Sequence, residues 1–177
     1  AHFGAIAEVT ENPIVLYSVP SRCGIEIATT TVARLYDKYP HVCAIKEAGG
    51  RSAKVSETAA ALGSDYLILS GDDALTLPFM ACGAEGVISV ASNVYVSSIA
   101  EMVNLAATDD YAAARELHLK HFQVFNEIFV EPNPVPIKFL MKTLGLIESD
   151  EVRLPLCGLL PENTERIAKL AEDFPIA

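Results

Sequence analysis

Four short apolar runs constrain this chain more than any other feature: Ile14-Val15-Leu16-Tyr17, residues 42–48 around Lys46, Tyr66-Leu67-Ile68-Leu69-Ser70 and Gly86-Val87-Ile88-Ser89-Val90. Runs of this length, bounded by glycine and proline, read as strands buried on both faces. Helical periodicity fills the gaps. Thr29 or Thr30 can cap a helix over about 30–39 with Val32, Leu35 and Tyr36 on one face, and Ser52 is a candidate N-cap for the next, with Val55, Ala59 and Leu62 inward. A short helix is expected over 74–82 and a longer one over 96–107. Strands alternating with helices through short loops make a parallel sheet covered by its crossovers. No G-x-G-x-x-G and no P-loop lysine motif is present, which favours a (β/α) barrel over a doubly wound sheet.

The strands stop after residue 108. Asp109 or Asp110 caps a long helix that is expected to run to about Phe129. A stiff connector, Val130-Glu131-Pro132-Asn133-Pro134-Val135-Pro136, leads to a helix over 136–144 and a last one over 162–173. The chain therefore divides into a barrel part, 1–108, and a helical appendage, 109–177. A helix is expected near the start, over 2–10, with Phe3, Ile6 and Val9 on one side.

Composition removes some function classes. The net charge is -10 with no basic stretch, which argues against nucleic acid and anionic membrane surfaces as partners. No apolar run approaches the roughly 20 residues that span a bilayer. Cys23, Cys43, Cys82 and Cys157 lack metal-type spacing, and Cys43 and Cys82, in apolar contexts, read as free core thiols, as in a reducing cytoplasm.

Within the second run, alternation places Val42, Ala44, Lys46 and Ala48 on one face and Cys43, Ile45 and Glu47 on the other. Lys46 thus sits among small neighbours. A strand-end lysine ordinarily snorkels its head to water. A desolvated one has a depressed pKa and can act as a neutral amine nucleophile. Barrel chemistry gathers at the C-terminal ends of strands. Tyr17 and Arg22 follow the first strand, Gly71-Asp72-Asp73 the third, and Ile88, Ser89 and Asn93 the fourth. Each has an ordinary reading as well: a core tyrosine, a solvated arginine, a turn glycine, and a loop aspartate with a helix cap. Functionally, a phenol both donates and accepts protons, and a guanidinium fork grips a carboxylate in two places. His118 and His121 are three apart on a helix, but no third ligand is near in sequence, so exposed helix histidines are expected rather than a metal pair.

These stretches match a known pattern. Pro13-Ile14-Val15-Leu16-Tyr17-Ser18-Val19-Pro20-Ser21-Arg22, Ala44-Ile45-Lys46-Glu47-Ala48, Leu69-Ser70-Gly71-Asp72-Asp73, Gly86-Val87-Ile88-Ser89-Val90 with Asn93, and Val130-Glu131-Pro132-Asn133-Pro134-Val135-Pro136-Ile137-Lys138 occur in order. Together they make the chain resemble the dihydrodipicolinate synthase (4-hydroxy-tetrahydrodipicolinate synthase) family. That family belongs to the class I pyruvate aldolases, which also include N-acetylneuraminate lyase. The resemblance implies the second half of a (β/α)8 TIM barrel followed by a C-terminal helical region. It implies Lys46 as the lysine forming a Schiff base with pyruvate and Tyr17 as a proton relay. It implies Arg22 as a carboxylate-binding arginine, and Gly71 and Ile88 as backbone positions lining the pyruvate pocket. The implied reaction is condensation of pyruvate with L-aspartate 4-semialdehyde in lysine and diaminopimelate biosynthesis. No cofactor or metal is implied, and the setting is a cytoplasmic homotetramer.

Measured against that family, a first half is absent: four strands, a Gly-Thr-Thr-Gly-Glu pyruvate loop and a second relay tyrosine lent by a neighbouring subunit. The chain opens without an initiator Met, in a helix, and reads as a fragment or a processed product. Open sheet edges then call for a second copy or a separate N-terminal half as partner. Two other functions fit the same residues: a lyase of another 2-oxo acid, and a non-catalytic half barrel used for assembly.

Overall fold

The computed structural model describes residues 1–176. It forms two compact units, Ala1–Ile88 and Ser89 onward.

The first unit holds a four-stranded parallel sheet in the order β1-β2-β3-β4, with β1 Val15–Ser18, β2 Ala44–Glu47, β3 Leu67–Ser70 and β4 Gly86–Val87. Its helices are α1 His2–Ala7, α2 Pro20–Cys23, α3 Thr29–Lys38, α4 Ser52–Leu62 and α5 Thr76–Met80, with a 3₁₀ turn at Asp73–Leu75. Strand alternation builds the core. Leu16, Ile45 and Ile68 stand in register on adjacent strands, each no more than 2% exposed. Val32 of α3, Val55 of α4 and Phe79 of α5 join them in one cluster. Burying each such side chain stabilises the unit by roughly 1.5–3 kcal/mol. The opposite face is more open: Val15 is 47% and Tyr17 44% exposed.

Three local expectations changed. The strand expected over 86–90 pairs with β3 only at Gly86 and Val87. Beyond them the Ser89 hydroxyl accepts the Ser92 N–H at 2.8 Å and turns the chain into a helix. The loop after β1 contains α2, whose first residue is Pro20, a position where a missing N–H costs nothing. Thr29 and Ser52 lie inside their helices rather than capping them, and the N-caps are Ala28 and Arg51.

The second unit is helical: α6 Ser92–Ala107, α7 Tyr111–Glu127, α8 Val135–Thr143 and α9 Pro161–Asp173. Helix α6 begins earlier than residue 96 and is kinked at Tyr95. It packs on α7, which explains why it groups with the later helices. Asp110 caps α7, its carboxylate accepting the Ala113 N–H at 3.1 Å. Glu131, in the proline-rich connector, reaches the start of α9 and accepts from the Leu160 N–H at 2.9 Å and the Asn163 amide at 2.8 Å. A carboxylate there complements the positive end of the helix dipole.

The histidines of α7 are not surface residues. His121 is 5% exposed, between the rings of Tyr95, Phe125 and Phe174, and His118 is half-buried against Phe122 and Phe125. Burial pushes both imidazoles below their ordinary pKa, so aromatic packing holds them neutral. Among the described residues, no group of three His, Cys, Asp or Glu side chains converges as a metal site would need. Nor is any helix there long and apolar enough to cross a membrane.

Candidate active site

Parallel pairing aligns Tyr17, Lys46 and Leu69 in one cross-strand row. Their side chains leave the same face of the sheet, because alternation is shared across a register. The Lys46 ammonium lies 4.3 Å from the Tyr17 ring centroid, within cation–π range. Lys46 itself is half-buried. Desolvation lowers its pKa, the nearby Asp73 charge raises it, and the like charge of Arg22 lowers it further. The net direction is downward, toward the neutral amine.

Gly71 follows β3 and its position is crowded. A Cβ there would meet the Ala48 Cβ at 2.7 Å and the Lys46 Cε and Cγ each at 3.1 Å. The missing side chain therefore makes room for the stem of Lys46. Arg22, in the last turn of α2, is exposed and follows the C-terminal end of β1. Ile88 is 41% exposed, and its N–H continues the ladder by donating to the Ser70 carbonyl at 2.9 Å. Of the two readings of Tyr17, core side chain or proton relay, the core one does not hold: the residue is 44% exposed and stands outside the core cluster.

Two groups matter more than their sequence reading indicated. Asp73 is 2% exposed at the start of the 3₁₀ turn, and its charge acts on Lys46. Asp72 is the cap of that turn, accepting the Ala74 N–H at 2.9 Å. Glu47, on the reverse face, is also 2% exposed. A buried carboxyl next to a candidate nucleophile was the available signal, but alternation alone placed it away from the site.

The chemistry of this arrangement is that of an amine nucleophile beside a phenol, with a guanidinium at the rim. A sequence profile described as the Dihydrodipicolinate synthetase family matches residues 1–173. The chain belongs to this family. It is 47% identical over 173 residues to a 4-hydroxy-tetrahydrodipicolinate synthase from Persephonella marina, covering 98% of this chain and 59% of that relative. The crystal structure of dihydrodipicolinate synthase from Aquifex aeolicus superposes with a TM-score of 0.96 at 38% identity, over 99% of this chain and 59% of that one. A dihydrodipicolinate synthase from Acinetobacter baumannii, solved in complex with pyruvate, gives a TM-score of 0.93 at 34% identity, over 99% and 60%. The chain thus spans about three-fifths of the length of the relatives it matches. The four parallel strands and their helices correspond to half of a TIM barrel, with a helical region after it.

Proposed function

We propose that the protein is a 4-hydroxy-tetrahydrodipicolinate synthase, a lyase of the class I aldolase type acting in lysine and diaminopimelate biosynthesis in the cytoplasm. The observation that carries this reading is Lys46. It is a strand lysine with its pKa lowered by burial, its stem against Gly71 and its head beside the Tyr17 ring.

The neutral Lys46 amine attacks the ketone carbon of pyruvate, and loss of water leaves an iminium. That cation withdraws electrons, so the adjacent methyl releases a proton and an enamine forms. The enamine carbon adds to the aldehyde of L-aspartate 4-semialdehyde. The amine of that substrate then attacks the former ketone carbon, closes the ring and releases Lys46. Tyr17 relays protons in these steps. A phenol of ordinary pKa about 10 is a weak base alone and needs a hydrogen-bonded chain behind it. Arg22 takes the carboxylate of the incoming semialdehyde, and the backbone at Gly71 and Ile88 borders the pyruvate. The open face around Val15 and Tyr17 supports a homo-oligomer, a tetramer by family likeness, or a separate N-terminal half as partner.

Borohydride reduction in the presence of pyruvate tests the reading. Peptide mass analysis is expected to find a reduced pyruvate adduct on Lys46 and on no other lysine. Absence of that adduct at saturating pyruvate overturns the proposal.

A further inference from the structure

Glu47 follows the nucleophile directly and faces the other way. It lies between Ser18 and Ser70, its register partners on the flanking strands, both fully buried. Its carboxyl folds back along the chain, and Oε1 accepts the Gly49 N–H at 2.6 Å. Gly49 must lack a side chain for this. A Cβ would lie 2.6 Å from that oxygen and 3.2 Å from Glu26 Oε1. The second oxygen of Glu47 is buried and meets no hydrogen-bond partner among the described residues.

The charged groups around it are Glu26 from the loop before α3, and Arg51 and Lys54 from the start of α4. Both cations have other commitments. Arg51 grips the two Glu26 oxygens at 3.0 and 2.9 Å. Lys54, 2% exposed, donates to the Thr29 hydroxyl at 2.8 Å and stands 4.0 Å from Glu26 Oε2. Burial raises the Glu47 pKa, as does the Glu26 charge, while the Gly49 N–H, Lys54 and Arg51 pull the other way. The net direction is upward, with burial as the largest cause.

What this carboxyl holds is the path from the strand end to the lysine. Gly71 N–H donates to the Glu47 carbonyl at 2.8 Å, and Ala48 N–H donates to the Ser18 carbonyl at 2.9 Å. Ala48, Gly71 and the Lys46 stem are packed so closely that one added methyl at Gly71 would collide with both of the others. The Glu47–Gly49 hydrogen bond spans Ala48 and sets its place in that trio. We propose that Glu47 is a positioning residue for Lys46: its carboxyl, folded onto the Gly49 N–H, fixes Ala48 and Gly71 against the lysine stem and so aims the amine. This rests on the Schiff-base reading of Lys46.

The test is the rate of borohydride trapping of pyruvate by the full chain, against pyruvate concentration, for Glu47→Ala, Glu47→Gln, Gly49→Ala and the double variant Glu47→Ala/Gly49→Ala. An aim lost by a fraction of an ångström slows reaction without weakening binding, so Glu47→Ala is expected to lower the saturated rate about tenfold or more. Its half-saturating pyruvate concentration is expected to move by less than about threefold. Glu47→Gln keeps an acceptor for the Gly49 N–H and is expected to restore the rate to within about threefold of the parent. Gly49→Ala, which displaces the Glu47 oxygen, should be as slow as Glu47→Ala, and the double variant no slower than either, because both break one contact. Where Glu47→Ala fails to fold by circular dichroism, Glu47→Gln and Gly49→Ala carry the same comparison. A parent chain that forms no adduct overturns the Schiff-base reading and this inference with it. A parent that forms the adduct while Glu47→Ala or Gly49→Ala matches its rate overturns the positioning role alone, as does a Glu47→Gln no faster than Glu47→Ala.

Discussion

Two lysines lie on opposite sides of the same sheet, and they are built in opposite ways. Lys54, behind it, is 2% exposed and tied down: its ammonium donates to Thr29, and Glu26 stands 4.0 Å away. Lys46, in front, is half-buried, its ammonium near the face of an aromatic ring. The first arrangement satisfies a charge and holds it still. The second removes water and leaves the amine approachable, the condition for a nucleophile. Burial alone therefore does not separate a structural lysine from a reactive one. What separates them is whether hydrogen bonds and carboxylates consume the charge.

The strongest way to break this contrast is to exchange the outcomes. Lys46→Ala is expected to abolish borohydride-trapped adduct while changing the unfolding free energy by less than about 1 kcal/mol, since the side chain is only half-buried. Lys54→Ala is expected to do the reverse: adduct forms, and stability falls by about 2–3 kcal/mol as the packed stem goes and the Thr29 hydroxyl loses its partner. Mass analysis beside urea unfolding reads both. Adduct formation by Lys46→Ala, or its loss in a folded Lys54→Ala, would reverse the assignment.

A second comparison sets Lys46 against its neighbour Ile45, which turns into the helix-covered core and is 1% exposed. Ile45→Ala is expected to cost about 2–5 kcal/mol in urea unfolding, with Lys46 still trapped by pyruvate under native conditions. A cost under about 1 kcal/mol would mean that the two faces of β2 are less distinct than their exposure indicates.

Much of this division was legible in the residues. The apolar runs marked the strands because glycine and proline bound them, and alternation alone set Lys46 on one face of its strand and Glu47 on the other, while the register that brings Tyr17 beside Lys46 came from the structure. The rest depended on contacts that a linear pattern does not carry. Strand β4 stops after two residues because Ser89 captures Ser92, a local hydrogen bond that competes with the ladder. His118 and His121 looked like surface residues because helical periodicity does not say how much of a face neighbouring rings will cover. Gly71 read as a turn glycine, and the sequence did not show that a side chain there would crowd Ala48 and the Lys46 stem. Asp73 read as a cap, whereas Asp72 is the cap and Asp73 contributes charge to Lys46.

That charge gives a sharper test of the open face. Arg22 lowers the Lys46 pKa and Asp73 raises it. In a plot of trapping rate against pH, the parent midpoint is expected below the free-lysine value of about 10.4. Arg22→Ala should move it up, by less than about one unit at 0.1 M salt because that exposed charge is screened, and Asp73→Asn should move it down by more, because Asp73 is buried. Shifts of the same sign in both variants would show that neither charge reaches the amine.

The smallest effect compares Lys46 with Glu47, because one cause displaces both toward neutrality: burial lowers the lysine and raises the acid. The consequences for stability differ in place. With Glu47 raised, the folded chain keeps a proton that the unfolded chain gives up near its ordinary pKa of about 4.3. That stabilising contribution is complete below the unfolded value and is lost as pH rises through the folded one. With Lys46 lowered, the folded chain gives up a proton that the unfolded chain holds to about 10.4, so its contribution grows as pH rises from the folded value toward that point. Glu47→Gln should therefore flatten the stability profile on the acid side alone, and Lys46→Met on the alkaline side alone, in urea unfolding from pH 4 to 10. Flattening on the same side in both variants would mean that the two groups titrate as a coupled pair across the strand, and that β2 does not insulate its two faces from one another.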